Sequence, residues 1–283
     1  SPKDPKDNPE TRGNFVFVTP YLAKSTPEKQ TLSFETPIQT VDLYFAFDQS
    51  GSMSDEFRTL GNNLNSMLST LRCHDYGTPC QENSDCSKHK DAICAESKKC
   101  IQNPKLGNGC FDSMWTGFGI WGNVNRFMDL ESLNGSSTNM ISKIKQFYTS
   151  PKAPYKFDYC GWDENMMQPI ACIIDGKAYC KNPDTHPLNC YSGTDRFGCV
   201  GFRKDAIKII IQAGDERNYD TTTRIGANTY KWTVANAIQW GQLMKNNSVR
   251  YLGLWGKNGG RPDARDGGMK QLAQHAGSCA KTS

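Results

Sequence analysis

Imidazole is scarce in this chain: 283 residues contain four histidines, His74, His89, His186 and His275. They are scattered, and none sits in a nucleophile–base pattern, so the side-chain constellation of a hydrolase is missing. Cysteine spacing contains no C-x-x-C pair, which together with so few histidines argues against zinc ribbons and fingers. Neither sign of charge dominates. The 33 Lys and Arg against 29 Asp and Glu leave a net charge of +4 and no clustered basic stripe, so a nucleic-acid footprint is not expected. No apolar run reaches membrane-spanning length. The chain starts SPKDPKDNPE without a hydrophobic signal segment, and the expectation is a mature form from which a leader has been removed.

Cysteine itself is plentiful. Twelve residues fall into two clusters, Cys73, Cys80, Cys86, Cys94, Cys100, Cys110 and then Cys160, Cys172, Cys180, Cys190, Cys199, with Cys279 near the end. Disulfides are the expected use, paired within each cluster with Cys279 joining the second, and they imply an oxidising address: secreted, periplasmic or cell-surface. Residues 73–110 are polar and nearly free of aliphatic side chains. They have too little to bury for a core of their own and read as a small knob held by three disulfides, for which six cysteines allow fifteen pairings. Partner contact and simple surface stabilisation both remain open as its role. Residues 175–200 read as a second, loop-like cysteine-rich insertion.

The chain is organised around Thr40 to Phe57, TVDLYFAFDQSGSMSDEF. Its apolar run at 41–47 reads as a strand covered on both faces, the kind found inside a parallel sheet. Before it, residues 1–39 read as a polar leader with short strands at 15–18 and 31–34. After it, Phe57, Leu60, Leu64, Met67, Leu68 and Leu71 recur at spacings of three and four and predict a helix over 55–72 with its apolar face on the sheet. Asp55 and Glu56 in its first turn suit the helix dipole. Strands follow at 113–122, 207–212 and 249–255, and helices at 140–148, 166–174, 233–245 and 269–276, the last stopped by Gly277. Alternating strands and helices predict an α/β fold: a doubly wound, mostly parallel central sheet flanked by helices, spanning 40–283 and carrying the two insertions.

Beyond the central strand comes Asp48-Gln49-Ser50-Gly51-Ser52, a carboxylate followed by hydroxyls two and four residues on. At the carboxyl end of a buried strand, where α/β sheets hold their sites, these are three oxygen ligands for a hard cation. Ser and Asp after a strand also serve as helix caps, and the pattern alone is short. Enzyme readings fail on spacing. An aspartic protease needs Asp-Thr/Ser-Gly without an intervening residue, a haloacid-dehalogenase phosphatase needs a second Asp where Ser50 stands, and G-x-S-x-G is absent. The second strong strand repeats the arrangement, since residues 207–212 lead to Asp215.

The run into DQSGS, the segment GFRKDAIKIIIQAGD, and the ending VRYLGLWG followed by LAQHAG together resemble the von Willebrand factor A domain family over about residues 40–278 outside the insertions. The resemblance implies that Asp48, Ser50 and Ser52 open a metal-ion-dependent adhesion site and that Asp215 supplies its third loop. The GTN-type second loop of the family is absent; aligning Ile170 with the family's helix leucine puts Glu164 at that position, beside Asp163. The family's closing strand and helix are absent too, with only six residues after Gly277. With its cysteine-rich insertions the chain is also similar to bacterial surface adhesins such as the gliding-motility lipoproteins of myxobacteria.

Hydroxyl and carboxylate ligands without imidazole or thiolate select Mg²⁺, Ca²⁺ or Mn²⁺, with Mg²⁺ favoured. The functional expectation is a secreted or surface adhesion module that takes an acidic group of a protein or glycan partner through the cation, within a larger surface complex if it assembles further. Trp162, two residues before Glu164, reads either as an aromatic anchor for that partner or as a cover for the sheet edge. A structural protein with the knob as its interface is the second class, and an enzyme is not expected.

Overall fold

The computed structural model describes residues 40–49, 53–95, 97–104, 106, 110–121, 127–149, 167–175, 190–191, 195–214, 221–225, 228–232, 234–255 and 269–278. Strand β1 (Thr40–Asp48) runs through the middle and every residue from Val41 onward is buried. Helix α1 (Ser54–Leu71) follows, then the knob with β2 (Asp75–Pro79), β3 (Ala92–Cys94) and β4 (Lys99–Gln102). The body resumes with β5 (Ser113–Trp121), β6 (Phe127–Asn134), α2 (Ser137–Thr149) and α3 (Met167–Ile174). A hairpin of β7 (Arg196–Phe197) and β8 (Phe202–Arg203) leads into β9 (Ile207–Gly214), followed by a second hairpin, β10 (Thr221–Ile225) and β11 (Asn228–Trp232). Helix α4 (Val234–Asn246), β12 (Val249–Trp255) and α5 (Met269–His275) complete it.

The central sheet has the order β12-β9-β1-β5-β6. All neighbours are parallel except β6, which returns antiparallel on β5. This is the expected α/β architecture with an antiparallel edge. The alternating faces of β1 explain its two-sided burial. Val41, Leu43, Phe45 and Phe47 pack with Phe57, Leu64 and Leu68 of α1 and Met140, Ile141 and Ile144 of α2. Tyr44 and Ala46 face the other layer, built from α3, α4 and α5. Helix α3 is apolar apart from Gln168 in its first turn and accordingly buried from Ile170 to Ile174, with Pro169 tolerated near its start.

One detail of the expected α1 face is corrected. Met67 and Leu71 are 52% and 38% exposed, whereas Phe57, Leu64 and Leu68 are buried. The inward stripe is narrower than the run of apolar residues suggests, because a single helix presents only about a third of its circumference to one sheet. Gly277 does stop α5, with φ at +67°.

The knob is closed at its neck by Cys73–Cys110, and Cys80–Cys94 and Cys86–Cys100 cross inside it. All three pairs stay within the first cluster, as expected. Cys80, Cys86 and Cys100 are buried with Tyr76 and Ala92 against them, so sulfur supplies most of the knob's core. In the second cluster Cys190 pairs with Cys199 and Cys172 is also disulfide-bonded. Residues 196–203 of that cluster are not loose loop: Cys199, Val200 and Phe202 are buried against the body. Cys160, Cys180 and Cys279, and the expected strands before residue 40, lie outside the described residues. Among the described residues no helix is long and apolar enough to cross a membrane.

Candidate functional site

Two crossovers diverge at the middle of the sheet. Strand β1 feeds α1, which packs on one face, while its parallel neighbour β9 is followed by α4, which packs on the other. The carboxyl ends of β1 and β9 therefore flank the topological switch point, the place in an open α/β sheet where ligands bind. Phe47 pairs with Ala213 in the parallel register, so Asp48 ends β1 at the level where Gly214 ends β9. On its other side Asp48 pairs with Trp121, and the Gln49 amide donates to the Trp121 carbonyl at 2.7 Å, fixing the chain just past the carboxylate.

Asp48 is fully buried. An ionised carboxylate removed from water is tolerable only with donors or a cation close to it. Met53 at 4% exposure then turns the chain into α1, whose first turn carries Asp55 and Glu56 and has no side-chain cap. These two acids are exposed, and Arg58 pairs with Asp55 at 3.1 Å, which agrees with a helix-dipole role for them. Of the sequence-derived ligands, Asp48 is placed; Ser50, Ser52, Glu164 and Asp215, together with Trp162, lie outside the described residues. The donor types at these sequence positions, hydroxyls and carboxylates, are those that a hard divalent cation takes.

Polar residues that sequence reading did not single out occupy the rest of the sheet. At the amino end of β1, Asp42 accepts from the Arg203 Nε and Nη2 at 2.8 and 2.6 Å and from its backbone amide at 2.7 Å. Burial pushes the Asp42 carboxyl up from its ordinary range despite the arginine beside it. Midway along, the Tyr44 hydroxyl donates at 2.7 Å to Asp129 on β6, reaching across β5. Gly117 and Gly119 make that passage possible, since a Cβ on Gly119 would overlap the Tyr44 hydroxyl and stand 2.8 Å from the Met128 carbonyl. The glycine alternation in MWTGFGIW is the one trace of this arrangement in the sequence.

Desolvation raises the Asp129 carboxyl to about 6, against donors from Ser132 and Tyr44 that lower it. A carboxyl raised on folding is protonated in the native state where the unfolded chain is ionised, so its contribution is full at low pH and is lost as pH rises from about 4 to about 6. At about 1.4 kcal/mol per pH unit this window spans up to about 3 kcal/mol. The isosteric Asp129→Asn variant is expected to lose that pH dependence and to be more stable than the parent above pH 7. Urea titrations at pH 4 and 7.5 check this; parallel pH profiles for the two proteins would refute it.

No protein-family model and no curated protein sequence matches the chain. Among solved structures it is similar to the VWA domain of SpRpn10, at 12% identity and a TM-score of 0.38 over 82% of each chain. It is also similar to the conserved hypothetical protein BatB from Bacteroides thetaiotaomicron, at 10% identity and 0.39 over 83% of this chain and 86% of that one. A third is the pilus adhesin SpaC from Lactobacillus rhamnosus GG, at 12% identity and 0.40, over 87% of this chain and 27% of that one. At such identities no residue role passes from these proteins to this one.

Proposed function

We propose that the chain is a binding module that captures an acidic group of a protein or glycan partner through a divalent cation, Mg²⁺ in the first place and Ca²⁺ or Mn²⁺ in the second, outside the cell or at its surface. The observation that supports this reading is the buried Asp48 carboxylate at the switch point, level with Gly214 at the end of the strand that leads to Asp215. In this reading Asp48, Ser50, Ser52, Glu164 and Asp215 hold the cation, and Trp162 meets the partner. The cation supplies a coordination position for the partner's carboxylate. The chain's own carboxylates keep it in place, and the reading gives no residue the part of a nucleophile or base. Three acidic ligands weaken the pull on a further carboxylate relative to two, because like charges oppose one another around the same ion.

The test is a pull-down from native surface or matrix with the wild type and Asp48→Ala, each with and without a chelator. Capture is expected to need the cation and to fall at least about a hundredfold in affinity in the variant, since one charge-assisted contact to a metal carries several kcal/mol. Circular dichroism confirms that the variant remains folded, and a Mg²⁺-induced rise in melting temperature in the wild type alone gives a readout independent of any partner. Identical partners in all four conditions would instead favour a structural protein with the knob as its interface.

A further inference from the structure

The amino-terminal edge of the sheet, at the far end of β1 and β9 from Asp48, carries a cleft of about 490 Å³ between the β7–β8 hairpin and the turn from α4 into β12. Its walls are cationic. Arg196, Lys204 and Lys208 line it, Asn246 and Asn247 stand opposite on the α4–β12 side, and no acidic side chain is among its described lining residues.

Each cation is held differently. The Arg196 guanidinium lies over the Trp115 ring at 4.7 Å and the Tyr191 ring at 5.1 Å, which fixes its plane without neutralising it. Arg203 stacks on the same Trp115 ring at 4.5 Å but is paired with Asp42. No carboxylate of the described residues pairs with Arg196 in the same way. Lys208 is 4% exposed and gives two of its three ammonium hydrogens to the carbonyls of Lys204 and Ala206, at 2.8 and 3.1 Å. The third has no acceptor among the described residues, and Lys208 lines the cleft. The Asp42 carboxylate, whose charge reaches Lys208, is already committed to Arg203, and the other acid that reaches it, Asp205, is exposed. Lys204 is exposed at the mouth.

Three cations in one concavity attract an oxyanion, and the buried lysine with a spare donor gives it a defined seat. The cleft falls in the range of about 300–1,000 Å³ typical of small-molecule sites, more than a bare oxyanion needs, so the ligand has a body as well as a charge. That body meets polar groups. The Asn246 amide is exposed, and Asn247 ties its Nδ2 to the Leu243 carbonyl at 2.9 Å, which leaves its oxygen as an acceptor. Hydroxyls match these groups. We propose that this cleft is a second, metal-independent site that binds an acidic saccharide unit, its sulfate or carboxylate against Arg196, Lys204 and Lys208 and its hydroxyls against Asn246 and Asn247.

Titration calorimetry on the full chain in excess chelator tests it with three probes: a sulfated heparin-derived tetrasaccharide, a desulfated tetrasaccharide that retains its uronates, and neutral cellotetraose. The first two are expected to bind, more weakly as salt rises, and the third not; whichever acidic probe binds more tightly identifies sulfate or carboxylate as the preferred group. Lys204→Glu, a change at an exposed position that leaves the fold intact, is expected to weaken binding at least about tenfold, and Arg196→Gln similarly. Asp48→Ala is expected to bind the tetrasaccharides as the wild type does, so that failure of the metal reading leaves this one standing. The inference is overturned if no probe binds, if cellotetraose binds equally, if Lys204→Glu changes nothing, or if binding appears only when Mg²⁺ is restored, which would assign the saccharide to the Asp48 end.

Discussion

Replacing Arg203 with alanine is expected to cost about 3–5 kcal/mol of folding stability, the penalty typical of removing one partner from a buried ion pair. Asp42 is fully buried in the central strand, and Arg203 meets it with three hydrogen bonds while its Nη1 donates to the Ser113 hydroxyl at 2.7 Å and its Nη2 to the Val41 carbonyl at 3.1 Å. The side-chain contacts vanish together in the variant, leaving a carboxylate in the sheet with only a backbone amide. The melting temperature should fall by about 10 °C, at about 2–4 °C per kcal/mol for a chain of this size. Burial already raises the Asp42 carboxyl, and losing the arginine raises it further, so the deficit should shrink as pH falls and the acid becomes neutral. The double variant Asp42→Leu, Arg203→Met separates the causes: if the uncompensated charge dominates, it recovers most of the loss. A single variant within about 1 kcal/mol of wild type at pH 7.5 would show that the pair is dispensable.

The second large effect is expected from Cys73→Ser with Cys110→Ser. These residues lie 37 apart in sequence, and chain-entropy reasoning gives about 4 kcal/mol for closing a loop of that length in the unfolded state. The loss should be distributed unevenly. Cys80–Cys94 and Cys86–Cys100 still hold the knob's interior, each across 14 residues, so the knob is expected to keep its own structure while its attachment loosens. The neck then relies on backbone bonds, Cys73 N–H to the Phe111 carbonyl at 3.0 Å and Phe111 N–H to the Leu71 carbonyl at 2.8 Å. Denaturant titration should show the drop, and limited proteolysis should cut at the neck, beside Cys73 or Cys110, before the knob interior. An unchanged midpoint, or early cleavage within 80–100, would contradict this.

The central strand was legible because its two faces are both covered, which leaves an unbroken apolar run; Asp42 within it is the exception that sequence reading passed over. Its partner Arg203 is 161 residues away, and nothing local announces a pair that only sheet topology brings together. Strand β6 escaped for a different reason. As an antiparallel edge it is half-buried over Met128–Ser132 and carries Asp129, Glu131 and Ser132, so FMDLESLN lacks the hydrophobic signature of its neighbours. The reverse error occurred on α1, where Met67 and Leu71 continue the apolar period beyond the width of sheet available to them. Asp48 was legible from its place after the buried strand, and the structure sets it at the switch point. The basic cleft was not, since Arg196, Lys208 and Asn246 belong to three separate elements that only the tertiary fold brings together.

The disulfide at the knob's neck also determines how the molecule answers to tension. The Cα atoms of Cys73 and Cys110 stand 4.7 Å apart, so a pull transmitted along the chain from α1 to β5 crosses the sulfur bridge and bypasses everything between. The 37-residue separation represents about 125 Å of contour at about 3.4 Å per residue, and all of it is locked away from extension while the bridge is oxidised. A module anchored at both ends between two surfaces would therefore stretch only through its sheet and its remaining loops. Reduction of that bridge alone would release as slack the arms on either side of the knob, whose interior Cys80–Cys94 and Cys86–Cys100 still close, so that the redox state of one bond sets how far the chain can lengthen.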